Sequence, residues 1–290
     1  MPLCYLALAM PAPAPAAERP HVVLDRVRMA FDDRPVVDGL TCSFARGRVT
    51  VILGGSGSGK TTLLRLVAGL IRPSSGRIEI DGTDVASLSE AAMAPVRSKI
   101  GMLFQGGALL DSLTVGDNLA LPLRERTSLS EERIAGIVDG RLDSVGLDRR
   151  VADLLPGQLS GGMLRRVALA RAILLDPEIL LCDEPFSGLD PISVKRIELL
   201  LSRLNRHHGM TIVIVSHHIA STVRLADRVL LLLPGRAIAG APDELRASPD
   251  RDVSGFFDED LDESLEPQEV ATRLGPHVGD ATAPAGTPGR

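Results

Sequence analysis

The stretch Gly54-Gly55-Ser56-Gly57-Ser58-Gly59-Lys60-Thr61-Thr62 combines the residue types needed to hold a polyphosphate. A triphosphate is bound by successive backbone N–H groups aimed inward, and Gly54, Gly57 and Gly59 let the chain turn tightly and approach the oxygens. Lys60 can reach the β- and γ-phosphates, and the Thr61 hydroxyl suits a magnesium ion. Gly54, four intervening residues and then Gly59-Lys60-Thr61 is the spacing of a P-loop. Further along, adjacent carboxylates Asp183 and Glu184 close an apolar run, and Gln105 and His217 each stand just past another. In open α/β sheets such strand ends are where chemistry is placed.

The elements around these residues set the geometry. Residues 49–53 are an apolar, β-branched run and residues 63–70 have helical apolar spacing, so strand, glycine loop and helix follow in the order a phosphate cradle requires. Residues 21–29 and 36–44 read as strands joined by the turn Asp32-Asp33-Arg34-Pro35, and 78–82 as a strand closing on a turn. A helix over 90–98 precedes a buried strand over 100–104. From residue 106 to about 156 the pattern is helical, with breaks expected at Pro122, Gly140 and Gly146. Ser160-Gly161-Gly162 opens a long helix that ends at Asp176-Pro177, and a strand over 178–182 follows. Beyond Asp190-Pro191 a helix runs to about His207, then a strand over 210–215, a hairpin turn at Pro234-Gly235 and a last short helix from Ala241. Strands alternating with helices predict a mostly parallel sheet with helices on both faces.

Composition bounds the partners. The chain has 290 residues and a net charge of −5, with no basic face of the kind nucleic acid requires. Between residues 250 and 269 nine acidic residues face the single Arg251, giving that stretch −8 and leaving +3 for the rest. Such a segment reads as a solvated acidic tail, 248–290. Cys4, Cys42 and Cys182 are far apart and odd in number, arguing against a zinc site or a disulfide framework and for a reducing compartment. Residues 3–10 are apolar but too short to span a bilayer and lack a basic start. With the Pro/Ala repeat that follows, residues 1–20 are expected to be a disordered leader.

The P-loop, Gln105, Leu159-Ser160-Gly161-Gly162-Met163, Asp183-Glu184, Ser187-Gly188-Leu189-Asp190 and His217 occur in the order found in ABC-type ATPases, which residues 21–247 resemble. The fifth signature position is Met163 where many relatives carry Gln. The resemblance implies a P-loop α/β fold with a mostly parallel sheet core, an antiparallel β subdomain and an inserted helical subdomain over about 106–175. It implies ATP and Mg2+ as ligands, with Thr61, Gln105 and Asp183 toward the metal. Glu184 becomes the general base that positions water, and His217 a γ-phosphate contact. Ser160, Gly161, Gly162 and Asp190 belong to a second half-site that closes on the nucleotide of another copy, in a head-to-tail homodimer. Phe31, in a chain with 2% aromatics, is placed to stack on adenine. His218 reads as a surface residue without such a role, and Cys182 as a small strand hydrophobe.

Residues 102–119, MLFQGGALLDSLTVGDNL, with Pro122-Leu123-Arg124-Glu125 and Pro185-Phe186, resemble the ATPases of Mla/Mce-type phospholipid transporters. That resemblance implies an integral membrane permease, an Mce-domain lipid carrier, a small STAS-type subunit and a peripheral position on the cytoplasmic face of the bacterial inner membrane. Phe256-Phe257, between acidic residues, is expected to dock on a partner. Other readings of the same fold are the ATPase of a different importer or exporter, and a non-transport ABC protein of DNA repair or translation. The latter usually carry tandem cassettes, long coiled coils or basic surfaces, and this chain has one cassette and none of those.

Overall fold

Uninterrupted apolar runs are what strands buried on both faces look like. The computed structural model describes residues 19–32 and 34–263, so most of the expected leader, Asp33 of the expected turn and the last part of the acidic tail lie outside the described residues. In chain order the elements are β1 (Pro20–Phe31), β2 (Arg34–Ala45), β3 (Val49–Gly54), α1 (Lys60–Val67), β4 (Ser75–Ile80), β5 (Thr83–Asp84), α2 (Glu90–Arg97) and β6 (Ile100–Leu103). Then come α3 (Val115–Arg126), α4 (Glu131–Ser144), two short 3-10 turns, α5 (Gly161–Ala172), β7 (Ile179–Asp183), α6 (Pro191–His208) and β8 (Thr211–Val215). The last are α7 (Ile219–Leu225), β9 (Arg228–Leu233), β10 (Arg236–Gly240), α8 (Pro242–Arg246) and α9 (Arg251–Glu263).

Six strands form the main sheet in the order β10-β9-β3-β8-β7-β6, parallel except for β10, which makes an antiparallel hairpin with β9 across Pro234-Gly235. A second, antiparallel sheet has the order β2-β1-β4-β5. Side chains alternate strictly between two cores. Ile52, Leu181, Val213, Val215 and Leu230 face α1 and the antiparallel sheet, whereas Leu53, Leu180, Cys182, Ile212 and Ile214 face α5 and α6. A third core joins α3 and α4 to the outer face of α5 through Leu119, Leu142, Val167 and Ala170. The helix α5 therefore belongs to two cores at once.

Two expected breaks are not breaks. Pro122 lies inside α3 and Gly140 inside α4. The α3 turn around Pro122 lacks one donor, yet Leu119 and Leu123 on either side are buried in the helical core and hold it. Buried Asn118 fastens the same helix to the preceding loop: its Oδ1 accepts from Leu110 N–H, and its Nδ2 donates to the Leu110 and Leu113 carbonyls. Only Gly146, with φ 68°, stands after a helix end.

The acidic segment also differs from its expected form. Residues 251–263 are helical, and Val253 and Phe257 are buried in the core beneath α7 and α8. Phe257 thus docks on its own chain, with Phe256 packed half-buried beside it. Apolar residues at 253 and 257 are one helical turn apart and share a face, which outweighs the local charge. No helix among the described residues is long and apolar enough to cross a membrane.

Candidate active site

The parallel register puts four strand ends in a row. Ile52 of β3 pairs with Val215 of β8, Val215 with Asp183 of β7, and Cys182 of β7 with Leu103 of β6. The glycine loop after β3, the Ser216-His217 pair after β8, Asp183-Glu184 at β7 and Gln105 after β6 therefore lie along one edge. The strand order alone, with spacings of about 4.8 Å, accounts for their proximity.

In the loop, Gly57 and Gly59 adopt φ of 77° and 90°, the left-handed region that a side chain resists. A Cβ on Gly57 would meet open space, whereas Gly59 and Gly54 are crowded by the protein itself. A Cβ on Gly59 would stand 2.8 Å from the Val36 carbonyl of β2, and one on Gly54 would stand 2.7 Å from the Leu232 carbonyl of β9. Lys60 Nζ donates to the Gly54 and Gly55 carbonyls at 2.7 and 3.0 Å. Burial holds its ammonium below the usual lysine range, opposed by Glu184 and Asp183. Gly55 and Ser56 are exposed, and Ser58, Thr61 and Thr62 are half-buried. The same Val36 contact brings the β1–β2 hairpin to the loop, with Phe31 at its tip, 46% exposed and paired with Arg34.

Thr61 Oγ1 donates to Asp183 Oδ1 at 3.0 Å. Desolvation raises the Asp183 carboxyl from its ordinary value, the Thr61 hydroxyl opposes that and the Glu184 charge adds to it. A hydroxyl and a carboxylate side by side, the latter lacking a cationic partner in contact among the described residues, are the hard oxygen donors a magnesium ion takes. Glu184 is 9% exposed, with backbone φ 48° and its N–H donating to the Val215 carbonyl at 2.9 Å. A left-handed glutamate costs on the order of 1–3 kcal/mol and persists where surrounding structure imposes it. Among the described residues its Oε2 has no hydrogen bond, although His217 Nδ1 approaches to 2.9 Å.

The second group of sequence-chosen residues comes together at the N-termini of α5 and α6. Ser160 caps α5, its Oγ accepting from Met163 N–H at 3.3 Å. Asp190 caps α6, accepting from the N–H groups of Ile192 and Ser193 at 3.0 Å, and hydrogen bonds from Ser193 hold its carboxyl below the usual range. A Cβ on Gly162 would overlap Ser193 Oγ, so the α5 and α6 N-termini meet there. The helix α5 packs on β6, the edge strand of the main sheet, three strands along from β3.

Sequence reasoning missed Arg165, which is 6% exposed on α5. Its guanidinium donates to the Phe104 and Gln105 carbonyls and to the Ser187 carbonyl, tying the signature helix to the exposed Gln105 loop and to the loop after β7. Arg171 does the same for the Gly107 and Ala108 carbonyls. The available signal was arginine in an otherwise small, apolar helix. His218 was misread. It is half-buried, accepts from Ser221 N–H at 3.2 Å as the cap of α7, and packs against the Phe186 ring at 6.0 Å between centroids.

Comparison with known proteins gives a consistent result. The ABC transporter family profile matches residues 37–187. The intermembrane phospholipid transport system ATP-binding protein MlaF of Haemophilus influenzae is 44% identical over 226 residues, 78% of this chain and 85% of that protein. The Escherichia coli K12 protein of the same name is 43% identical over 227 residues, 78% and 84% respectively. The methionine import ATP-binding protein MetN of Brucella abortus is 42% identical over 218 residues, but only 58% of its length is covered. Among solved structures, the dimeric post-hydrolysis state of the ATP-binding cassette MJ0796 bound to ADP and Pi superposes with a TM-score of 0.69 at 32% identity. It covers 75% of this chain and 97% of that one.

Proposed function

This chain belongs to the ABC transporter family, and we propose that it is the ATP-hydrolysing subunit of a transporter that moves phospholipid between two membranes. The observation that carries the lipid assignment is the 44% identity over 85% of a phospholipid-transport subunit. The near-equal identity to a methionine importer extends over only 58% of that protein.

ATP is the substrate. Its phosphates take the N–H groups of the Gly54 to Thr62 loop and the α1 N-terminus, and Lys60 exchanges its two carbonyl partners for phosphate oxygens. Phe31 supports the adenine. Thr61 and Asp183, with Gln105 on the neighbouring strand end, would hold Mg2+, which neutralises charge on the β- and γ-phosphates when bound. Glu184 orients a water and accepts its proton as the water oxygen bonds to the γ-phosphorus and the bond to the β–γ bridging oxygen breaks, leaving ADP and phosphate. His217 holds the Glu184 carboxylate on one side and reaches the γ-phosphate on the other.

The dimeric state of the MJ0796 cassette, to which the chain is similar, supports a head-to-tail homodimer. Ser160, Gly161 and Gly162 at the α5 N-terminus present N–H groups to the γ-phosphate bound by the second copy, with Asp190 at the seam. Closure and reopening of that seam act on an integral membrane permease, which receives the loop from Gly106 to α3. An Mce-domain lipid carrier and a STAS-type subunit complete the complex, and the chain sits peripherally on the cytoplasmic face of the inner membrane. The test is purification from membranes followed by transfer assays. Co-purification with a permease and ATP-dependent movement of labelled phospholipid between vesicles are expected. ATP-dependent uptake of an amino acid or sugar instead would overturn the lipid assignment, and co-purifying nucleic acid or ribosomes would overturn transport.

A further inference from the structure

The His217 side chain is 65% exposed, so little packing holds its ring toward Glu184. Its direction is set by its backbone, and that backbone is clamped from both neighbours. On the N-terminal side, Ser216 is fully buried and its Oγ accepts from His218 N–H at 2.9 Å. On the C-terminal side, the His218 imidazole caps α7: Nδ1 accepts from Ser221 N–H at 3.2 Å and stands 2.8 Å from Ser221 Oγ.

Both ends of this clamp are anchored. The His218 ring lies against Phe186, two residues past Glu184, at 6.0 Å and 54°, and Phe186 is itself buried in the core. The helix α7 is fastened to α6 by Arg224, whose Nε donates to both carboxylate oxygens of Glu198 at 3.1 Å, and Glu198 is only 3% exposed. Lys195 adds a contact to the same carboxylate at 3.3 Å. One imidazole thus connects the strand end that carries His217, the loop that carries Glu184 and a helix fixed to the core.

We propose that His218 is a positioning residue for hydrolysis, setting through its cap on α7 where His217 stands relative to Glu184. This rests on the ATPase reading above. Since His218 touches no phosphate-binding group, its loss changes turnover and leaves nucleotide binding alone.

The test is steady-state ATP hydrolysis by the wild-type complex and by complexes carrying His218→Ala or His218→Asn. Asparagine is among the strongest N-cap residues, so it restores the acceptor without the ring. Alanine is expected to lower kcat about fivefold with KM for ATP within about twofold of wild type, an effect of the size that small losses of alignment produce. Asparagine is expected to recover at least about half of the wild-type kcat, as the cap it restores implies. The proposal is overturned if His218→Ala keeps the wild-type kcat, or if KM rises in step with the fall in kcat. It is equally overturned if His218→Asn is as slow as His218→Ala while melting like wild type. Should the alanine variant not fold, the asparagine variant decides alone: wild-type kcat supports the cap, and a fivefold loss contradicts it. A wild-type complex without ATP turnover would instead refute the ATPase reading and is distinguishable from all of these.

Discussion

His217 Nδ1 stands 2.9 Å from Glu184 Oε2 across the ends of the neighbouring strands β8 and β7, without the alignment of a hydrogen bond. The carboxylate oxygen is buried and unsatisfied, which costs free energy unless a water or substrate group completes it. Glu184→Gln keeps the shape and removes the base. Turnover is expected to fall by at least about 10²-fold while ATP binding survives. The trapped variant should form a stable dimer with Mg-ATP in size-exclusion chromatography, and a persistent monomer even beside its permease would contradict the two-half-site arrangement.

The glycine loop makes a graded prediction. Gly57 and Gly59 both have left-handed φ, but a Cβ on Gly57 meets open space, whereas one on Gly59 meets the Val36 carbonyl at 2.8 Å. Alanine at 57 pays strain alone, on the order of 1–2 kcal/mol. Alanine at 59 also pushes β2 away from α1, so its nucleotide affinity is expected to be at least about tenfold weaker than that of the Gly57 variant. Nucleotide titration by fluorescence or calorimetry reads both, and equal affinities would remove the role assigned to Val36.

Much of this was legible because a local pattern carried it. Lys60, Thr61, Asp183, Glu184 and His217 each follow an apolar run, and runs of that type become parallel strands whose ends share an edge. What could not be read locally depends on contacts distant in sequence. The crowding at Gly59 comes from β2, and at Gly54 from β9, which follows it by more than 170 residues. Arg165 gains its meaning from carbonyls of Phe104 and Ser187 on two other loops. Pro122 was misjudged for the same reason, since packing of Leu119 and Leu123 overrides its propensity. In α9, charge concealed a face that Val253 and Phe257 present to the core.

That face can be tested. Phe257 is 2% exposed and is among the largest fully buried side chains. Phe257→Ala is expected to cost about 3 kcal/mol in chemical denaturation, whereas Phe256→Ala, at a half-buried site, should cost clearly less. The ion pairs of Arg236 with Asp250 and Asp252 are exposed and cannot hold the helix in place of the ring. A Phe257 variant as stable as wild type would show that α9 is not anchored by its apolar face.

At the opposite end of the sheet, His21 predicts a pH dependence. Its ring is 1% exposed, with Nδ1 2.7 Å from Thr211 Oγ1, and the same hydroxyl oxygen accepts from Gly47 N–H at 2.8 Å. Its Nε2 faces Asp81 and Glu178 at 3.7 Å, too far for a hydrogen bond, and both carboxylates are already paired with Arg46 and Lys99. Burial, helped by Arg46 and Lys99 and opposed by Glu178, lowers the His21 pKa to about 4. In the unfolded chain it titrates near about 6.5. Below that pH the unfolded state takes up a proton that the folded state refuses, so the contribution of neutral His21 is whole above about 6.5 and declines down to about 4, by at most about 1.4 kcal/mol per pH unit. Other groups titrate with either sign, burial of Asp183 acting in the opposite direction, so the useful quantity is the difference between wild type and His21→Gln. Between pH 6.5 and 4.5 the wild type is expected to lose about 2 kcal/mol more than the variant in denaturant unfolding. Parallel stability curves over that range would mean that His21 takes up its proton in the folded protein, with the carboxylates of Asp81 and Glu178 outweighing burial.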